Sequence, residues 1–200
     1  AEGIDANFLN FQVEEIFYRF VNFREWDISE MSFGKYVALK AMGDHSLTSI
    51  PVFPSRVFRH AHILVNADAG IKKPKDLIGK RFGAAEYQQT AAIWQRGFLQ
   101  HDYGVHPSQV EWFFGMLNDP GPYAERVPVD LPSNLRTHLI RDDQSLDQML
   151  ESGEIDALMA DRLKHFVPGS RAWLFDRLER GWLADADAAE KTKARVLVGD

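Results

Sequence analysis

The stretch IPVFPSRVFRH, Ile50 to His60, ends in Arg56, Arg59 and His60. Arginine offers a planar fork of donors that matches a carboxylate two bonds at a time. Histidine, whose unperturbed titration lies near neutrality, is the natural general acid beside it. Pro51 and Pro54 stiffen the backbone that carries these groups, so the run reads as a short strand and its exit. In an extended run Arg56 and Phe58 share one face and Arg59 takes the other. Arg56 is therefore the first candidate for holding an anion. His60 and His62 also form an HxH pair, which a strand would turn to one face as two metal ligands. No third ligand is evident in the sequence. The competing reading is one histidine at a cleft rim and one packed on a strand.

Three more polar clusters sit where strands and helices are expected to join. They are Ser29-Glu30-Met31-Ser32, Glu86-Tyr87-Gln88-Gln89-Thr90, and Asp161-Arg162 just past the run IDALMA. In open α/β sheets ligands bind beyond the carboxyl ends of the strands, where helix starts present free N–H groups and a positive dipole end. Each cluster also has a plainer use. Ser29, Ser32 and Thr90 are good helix caps. Glu86 suits a helix start, and Arg162 suits solvent. Trp94 and Phe58 offer rings for stacking on an aromatic ligand, or for the core.

These groups need a scaffold, and the pattern of apolar residues supplies one. IDANFLNF alternates and predicts a strand. VEEIFYRFVNF predicts a helix with Val13, Ile16, Phe17, Phe20 and Val21 as its stripe. SFGKYVALKAM predicts a second helix, capped by Asp27 or Ser29, with Phe33, Tyr36, Val37 and Leu39 as apolar positions. HAHILVN reads as a strand. Pro74 opens a short helix that Gly79 ends. KRFGAA, TAAIWQRGFLQHDYG and VEWFF then read as strand, helix and strand, with Gly104 closing the helix. This β-α-β order predicts a parallel sheet covered by helices. Met116 to Leu135 is rich in Pro, Gly and Asn and predicts a long surface excursion. LRTHLIRD is a further strand, and SLDQMLESGEIDALMADR reads as helix, glycine turn and strand. RAWLFDRLERGWL is amphipathic, and the sequence after it is polar.

Composition narrows the function. The chain has 200 residues, 45% of them hydrophobic, enough for one large domain or two small lobes. A net charge of -6 argues against nucleic acid as partner. It does not argue against small anions, which need one or two local cations. The absence of cysteine removes disulfides, thiolate nucleophiles and Cys-bound zinc. No apolar run reaches the ~18 residues that span a membrane. AEGIDANFLNF lacks the basic start and apolar stretch of a signal peptide. The abrupt start and finish predict a chain truncated at both ends. No phosphate loop, GxGxxG, HExxH or GxSxG motif is present.

SEMSFGKYVAL, IPVFPSRVFRH, IKKPKDLIGKRFGAAEYQQTAAIWQRGFLQHDYGV and LESGEIDALMADR occur in this order. Together they resemble the 4,5-dihydroxyphthalate decarboxylase family, which is related to the type II periplasmic solute-binding proteins of ABC transporters. FPSRxFRH combined with EYQxTAAxWxRG is the specific part. PKDLxGKRFG recurs through the wider superfamily. The resemblance covers residues 1 to 165 and implies two α/β lobes with a ligand cleft between them. Residues 1–66 would form part of the first lobe, 67–79 the crossover and 80–165 the second. Residues 166–200 would continue the second lobe or return to the first.

The implied activity is non-oxidative decarboxylation of a hydroxylated aromatic diacid in aromatic catabolism. The implied site uses His60, Glu86 or Tyr87 as proton donor. Arg56, Arg59 and Arg96 serve as clamps, and Phe58 and Trp94 as stacking groups. No cofactor is expected, the location would be cytoplasmic, and a homo-oligomer stays open. The alternative is a binding protein, periplasmic in that case, whose cleft holds a small anionic or aromatic solute without chemistry. Replacing Arg56 by Ala is expected to weaken diacid binding and to lower turnover by more than about tenfold, the loss of a bidentate charged contact. Steady-state kinetics with 4,5-dihydroxyphthalate check this, and unchanged constants would remove Arg56 from the site.

Overall fold

Short apolar runs bounded by glycine and proline build the sheet. The computed structural model describes residues 3, 5–55, 59–121, 130–160 and 170–173. Among these, six strands form one sheet: β1 (Ile63–Asn66), β2 (Arg81–Ala84), β3 (Glu111–Phe114), β4 (Arg136–Leu139), β5 (Ala157–Met159) and β6 (Ser170–Trp173). Their order across the sheet is β4-β3-β2-β5-β1-β6. Strands β2, β3, β4 and β5 run parallel, whereas β1 is antiparallel to both β5 and β6. The helices are α1 (Val13–Phe23), α2 (Phe33–Ala41), α3 (Thr90–His101) and α4 (Leu146–Ser152). No described helix is long and apolar enough to cross a membrane.

The sheet is covered on both faces, as the β-α-β order requires. Alternate strand residues Ile63, Val65, Phe82, Ala84, Trp112 and Phe114 pack with Ala92, Phe98 and Leu99 of α3. The opposite face packs Leu158 against Leu146 and Leu150 of α4 and against Ile155. Gly83 of β2 lets that second layer close. A Cβ there would come within 2.7 Å of Ile155 Cδ1 and 3.1 Å of Leu146 Cδ2. Gly79, Gly104 and Gly153 follow their elements with φ of 80°, 69° and 79°, the left-handed turn that glycine adopts without strain.

Several expectations are corrected. Residues 5–11 of IDANFLNF form no strand: residues 5–10 are exposed, and among the described residues none completes a ladder with them. IPVFP is not a strand either. Ile50, Val52 and Phe53 are exposed, and the Val52 amide donates to the Ile50 carbonyl in a tight turn. Only Ile63–Asn66 of HAHILVN is extended. Arg59–His62 is a 3-10 turn docked on α3, where Gln95 Nε2 donates to the Arg59 carbonyl at 3.2 Å. On α2 the expected apolar stripe is largely outside, with Phe33 and Val37 half exposed, while Gly34 and Lys35 are buried. That helix meets its neighbour through its start and not through its stripe. Strand β6 is an edge strand that the amphipathic pattern of RAWLFDRLERGWL does not predict.

At the entry edge of β2 one carboxylate holds two parallel strands in register. Asp156 accepts from the Arg81 amide at 2.9 Å and from the Arg81 guanidinium at 3.0 and 2.9 Å. The same guanidinium donates to the Gly153 carbonyl at 2.7 Å. Burial pushes the Asp156 carboxyl up, but its bonds from Arg81 outweigh that and hold it below the usual carboxylate range. A carboxylate lowered on folding contributes stability above its unfolded value and loses it as pH falls through its folded one. Replacing Asp156 by Asn is expected to cost about 1–2 kcal/mol at neutral pH, the arginine being partly solvated. The gap to the parent protein should narrow below about pH 4. Urea unfolding across that range measures it.

Candidate active site

At the exit edge of the same strands, two helix starts meet. The start of α2 comes up against the turn 85–89 and the start of α3, and a threonine hydroxyl joins them. Thr90 Oγ1 accepts from the Gly34 amide at 2.9 Å and shares a hydrogen bond with Ser32 Oγ at 2.9 Å. Ser32 occupies the capping position that was expected of Asp27 or Ser29. Its hydroxyl bonds across to α3 and not back to its own helix. Gly34 is what permits the contact. A Cβ at that position would lie 2.5 Å from the Gln88 carbonyl oxygen and 2.7 Å from Ile93 Cδ1. Neither helix has an acidic residue in its first turn, so two positive dipole ends converge without a local carboxylate of their own.

The polar side chains around this junction are buried. Lys35, in the first turn of α2, is 2% exposed and pairs with Glu86 at 2.5 Å. Gln88, Gln95 and Arg96 are buried as well. Arg96 Nη2 donates to the Tyr87 carbonyl at 2.7 Å, and its guanidinium carbon stands 3.7 Å from the centre of the Tyr87 ring. The edge of that ring meets Phe114 at 6.1 Å. Arg96 thus fixes the turn that carries Glu86 and Tyr87. Such a collection of buried polar groups costs stability unless each is bonded, which is typical of a site and not of a core.

The structure brings together Glu86, Tyr87, Gln88 and Thr90 with Ser32 and Lys35. The half-buried Ser29, Glu30 and Met31 lead into α2. Ser29 Oγ donates to the Glu30 carbonyl at 2.9 Å. Trp94 is 62% exposed on α3, so its ring is not part of the core. His60 stands elsewhere. Its ring stacks on Phe98 at 3.6 Å and meets Tyr103 edge-on at 6.4 Å. Phe98 lies eight residues along α3 from Thr90, about 12 Å at about 1.5 Å per residue. Burial lowers the His60 titration from its ordinary value, and the Asp102 charge opposes that shift. His62 is in the same 3-10 turn, and its carbonyl accepts from the Ala160 amide at 2.9 Å. Among the described residues no three His, Asp or Glu side chains cluster as metal ligands. Arg56, Phe58, Asp161 and Arg162 lie outside the described residues.

Sequence reasoning missed Lys35, which periodicity assigns to the polar side of α2. A usable signal was present: a cation in a first helical turn opposes the helix dipole and calls for a reason. Replacing Thr90 by Val removes both bonds at the junction and should lower stability by about 1–3 kcal/mol through the unsatisfied Gly34 amide. Thr90→Ser, which keeps the oxygen, should stay close to the parent protein. Thermal melts of the two variants compare them, and equal melts would deny the hydroxyl this role.

No family model matches the chain. The 4,5-dihydroxyphthalate decarboxylase of Comamonas testosteroni is 38% identical to it over 161 residues, which are 80% of this chain and 48% of that protein. The 4,5-dihydroxyphthalate decarboxylase of Pseudomonas putida is also 38% identical over 161 residues, 80% of this chain and 62% of that protein. The chain therefore spans less than two thirds of the length of the curated relatives it matches. Over most of its length the chain is thus similar to two 4,5-dihydroxyphthalate decarboxylases.

Proposed function

We propose that this chain carries the substrate cleft of a carboxy-lyase that removes one carboxylate from 4,5-dihydroxyphthalate or a closely related hydroxylated aromatic diacid. The observation that carries the reading is the junction of α2 and α3, where two helix starts and the buried Lys35–Glu86 pair stand beside Tyr87. Anions bind where helix dipoles and buried cations add. The diacid brings two negative charges, and Arg56 and Arg59 of FPSRVFRH supply further cations to meet them.

The chemistry needs one proton and a poorly solvated carboxylate. A proton delivered to the ring carbon bearing that carboxylate makes a cationic ring, which the hydroxyl para to that carbon stabilises. The carbon–carbon bond then breaks. Its electron pair returns to the ring, CO2 leaves, and a catechol carboxylic acid remains. Tyr87 is the donor at the junction, and Glu86, a carboxylate while it pairs with Lys35, donates only after taking up a proton. His60, packed on Phe98 about 12 Å along α3, is the weaker candidate for the transfer.

A type II binding-protein arrangement suits this reading. Residues 1–66 contribute to one lobe, 67–79 cross over, 80–165 contribute to the other, and the end of the chain continues from there. The α2–α3 junction joins residues from either side of that division, which supports a cleft at that place.

Incubation with 4,5-dihydroxyphthalate is expected to release CO2 and to yield the catechol carboxylic acid in equal amounts. Evolved CO2 and chromatography of the product measure both. Saturable binding with no CO2 would instead favour a solute-binding protein.

A further inference from the structure

Lys35 is the least expected side chain at the junction. A helix start disfavours a cation, and a buried ammonium costs stability unless it is paired and hydrogen-bonded. Its carboxylate partner, Glu86, belongs to the turn after β2 and is itself mostly buried. The contact is an ion pair, but Lys35 Nζ makes no hydrogen bond of good geometry among the described residues. An ammonium has three donors, so this one is under-satisfied. Gln95 Oε1, on the buried side of α3, also accepts no hydrogen bond among the described residues.

The surrounding charges point the same way. Two helix starts, Lys35 and the buried Arg96 contribute positive potential. Glu86, with Glu30 just before Ser32, opposes it. The balance leaves room for a second anion. Glu86 stands on a turn and not inside a strand or helix, so its side chain can leave Lys35 without breaking the sheet.

We propose that Lys35 is a receptor for a substrate carboxylate and that Glu86 holds it ready. An incoming aromatic dicarboxylate takes the place of Glu86 on Lys35, and Glu86 is released beside the ring. One carboxylate replaces another, so the lysine charge stays matched and no covalent bond changes. The identity of the dicarboxylate rests on the decarboxylase reading, whereas the exchange rests on the buried pair. It accounts for a cation at the wrong end of a helix, for its unmet donors, and for the placement of its partner on a turn.

Calorimetric titration of the full chain with phthalate tests the exchange. Phthalate has both carboxylates but lacks the ring hydroxyls that support decarboxylation, so binding is read without turnover. The parent protein is expected to bind it. Lys35→Met should weaken binding by at least about tenfold, the loss of a charge-assisted contact. Glu86→Gln should tighten binding by about threefold or more, because an amide competes poorly for the ammonium. Thermal melts report folding separately. Unchanged affinity in Lys35→Met overturns the proposal, as does weaker binding by a folded Glu86→Gln or no phthalate binding by the parent protein. If Lys35→Met does not fold, the sign of the Glu86→Gln effect decides. The expected pattern of phthalate binding without CO2 from 4,5-dihydroxyphthalate would reject the decarboxylase reading and leave the exchange standing.

Discussion

The close approach of α2 to α3 at Gly34 is the constraint on which the site depends. Two helix starts repel through their positive ends, so their contact needs both room and a bridge. Gly34 supplies the room, because any Cβ would collide with the Gln88 carbonyl. Thr90 supplies the bridge, because one hydroxyl oxygen can serve the Gly34 amide and Ser32 together. With those two conditions met, the turn 85–89 is trapped between the helices. Lys35, Glu86 and Tyr87 then come within reach of one another although they are far apart in sequence.

The stabilising ion pair and the candidate site lie at opposite edges of one sheet. At the entry edge Asp156 and Arg81 satisfy each other with several bonds and hold β2 and β5 in register. The Arg81 amide, Nε and Nη2 each have a structural use there. At the exit edge polar groups are more deeply buried but less well matched, as the ammonium of Lys35 shows. A core that only needed to be stable would replace such groups by apolar ones, since buried pairs often stabilise less than a hydrophobic equivalent. Parallel sheets place ligands at this edge for a physical reason: each strand exit there leads toward a helix start.

Around the turn 85–89 the packing restrains Tyr87. Arg96 lies flat over the Tyr87 ring and bonds to its carbonyl. A guanidinium stacked on an aromatic face and buried behind it is well placed to hold a turn and poorly placed to travel. His60 is restrained in the same way by Phe98 and Tyr103. The aromatic residues of this protein thus set the orientation of polar groups before any ligand arrives, which reduces the ordering that binding would otherwise require.

The sequence by itself determined the parallel unit β2-α3-β3 and the helix–glycine–strand run through α4 to β5, because local periodicity and glycine turns report on local structure. It also marked EYQQT as a strand-to-helix junction and pointed, through its longest motifs, to the 4,5-dihydroxyphthalate decarboxylases that the chain resembles. It misread IDANFLNF and IPVFP as strands, since alternation describes a face and cannot name the neighbour that a strand needs. It misjudged α2 for a related reason: the helix packs through Gly34 and Lys35 while Phe33 and Val37 stay half exposed. Only the tertiary structure decided that Lys35 meets Glu86, that Arg96 supports Tyr87, and that His60 stands apart on Phe98. Those pairings join residues tens of positions apart or turn a side chain toward one of several neighbours. Periodicity carries no information about either choice, because both are set by how closely two helices can approach.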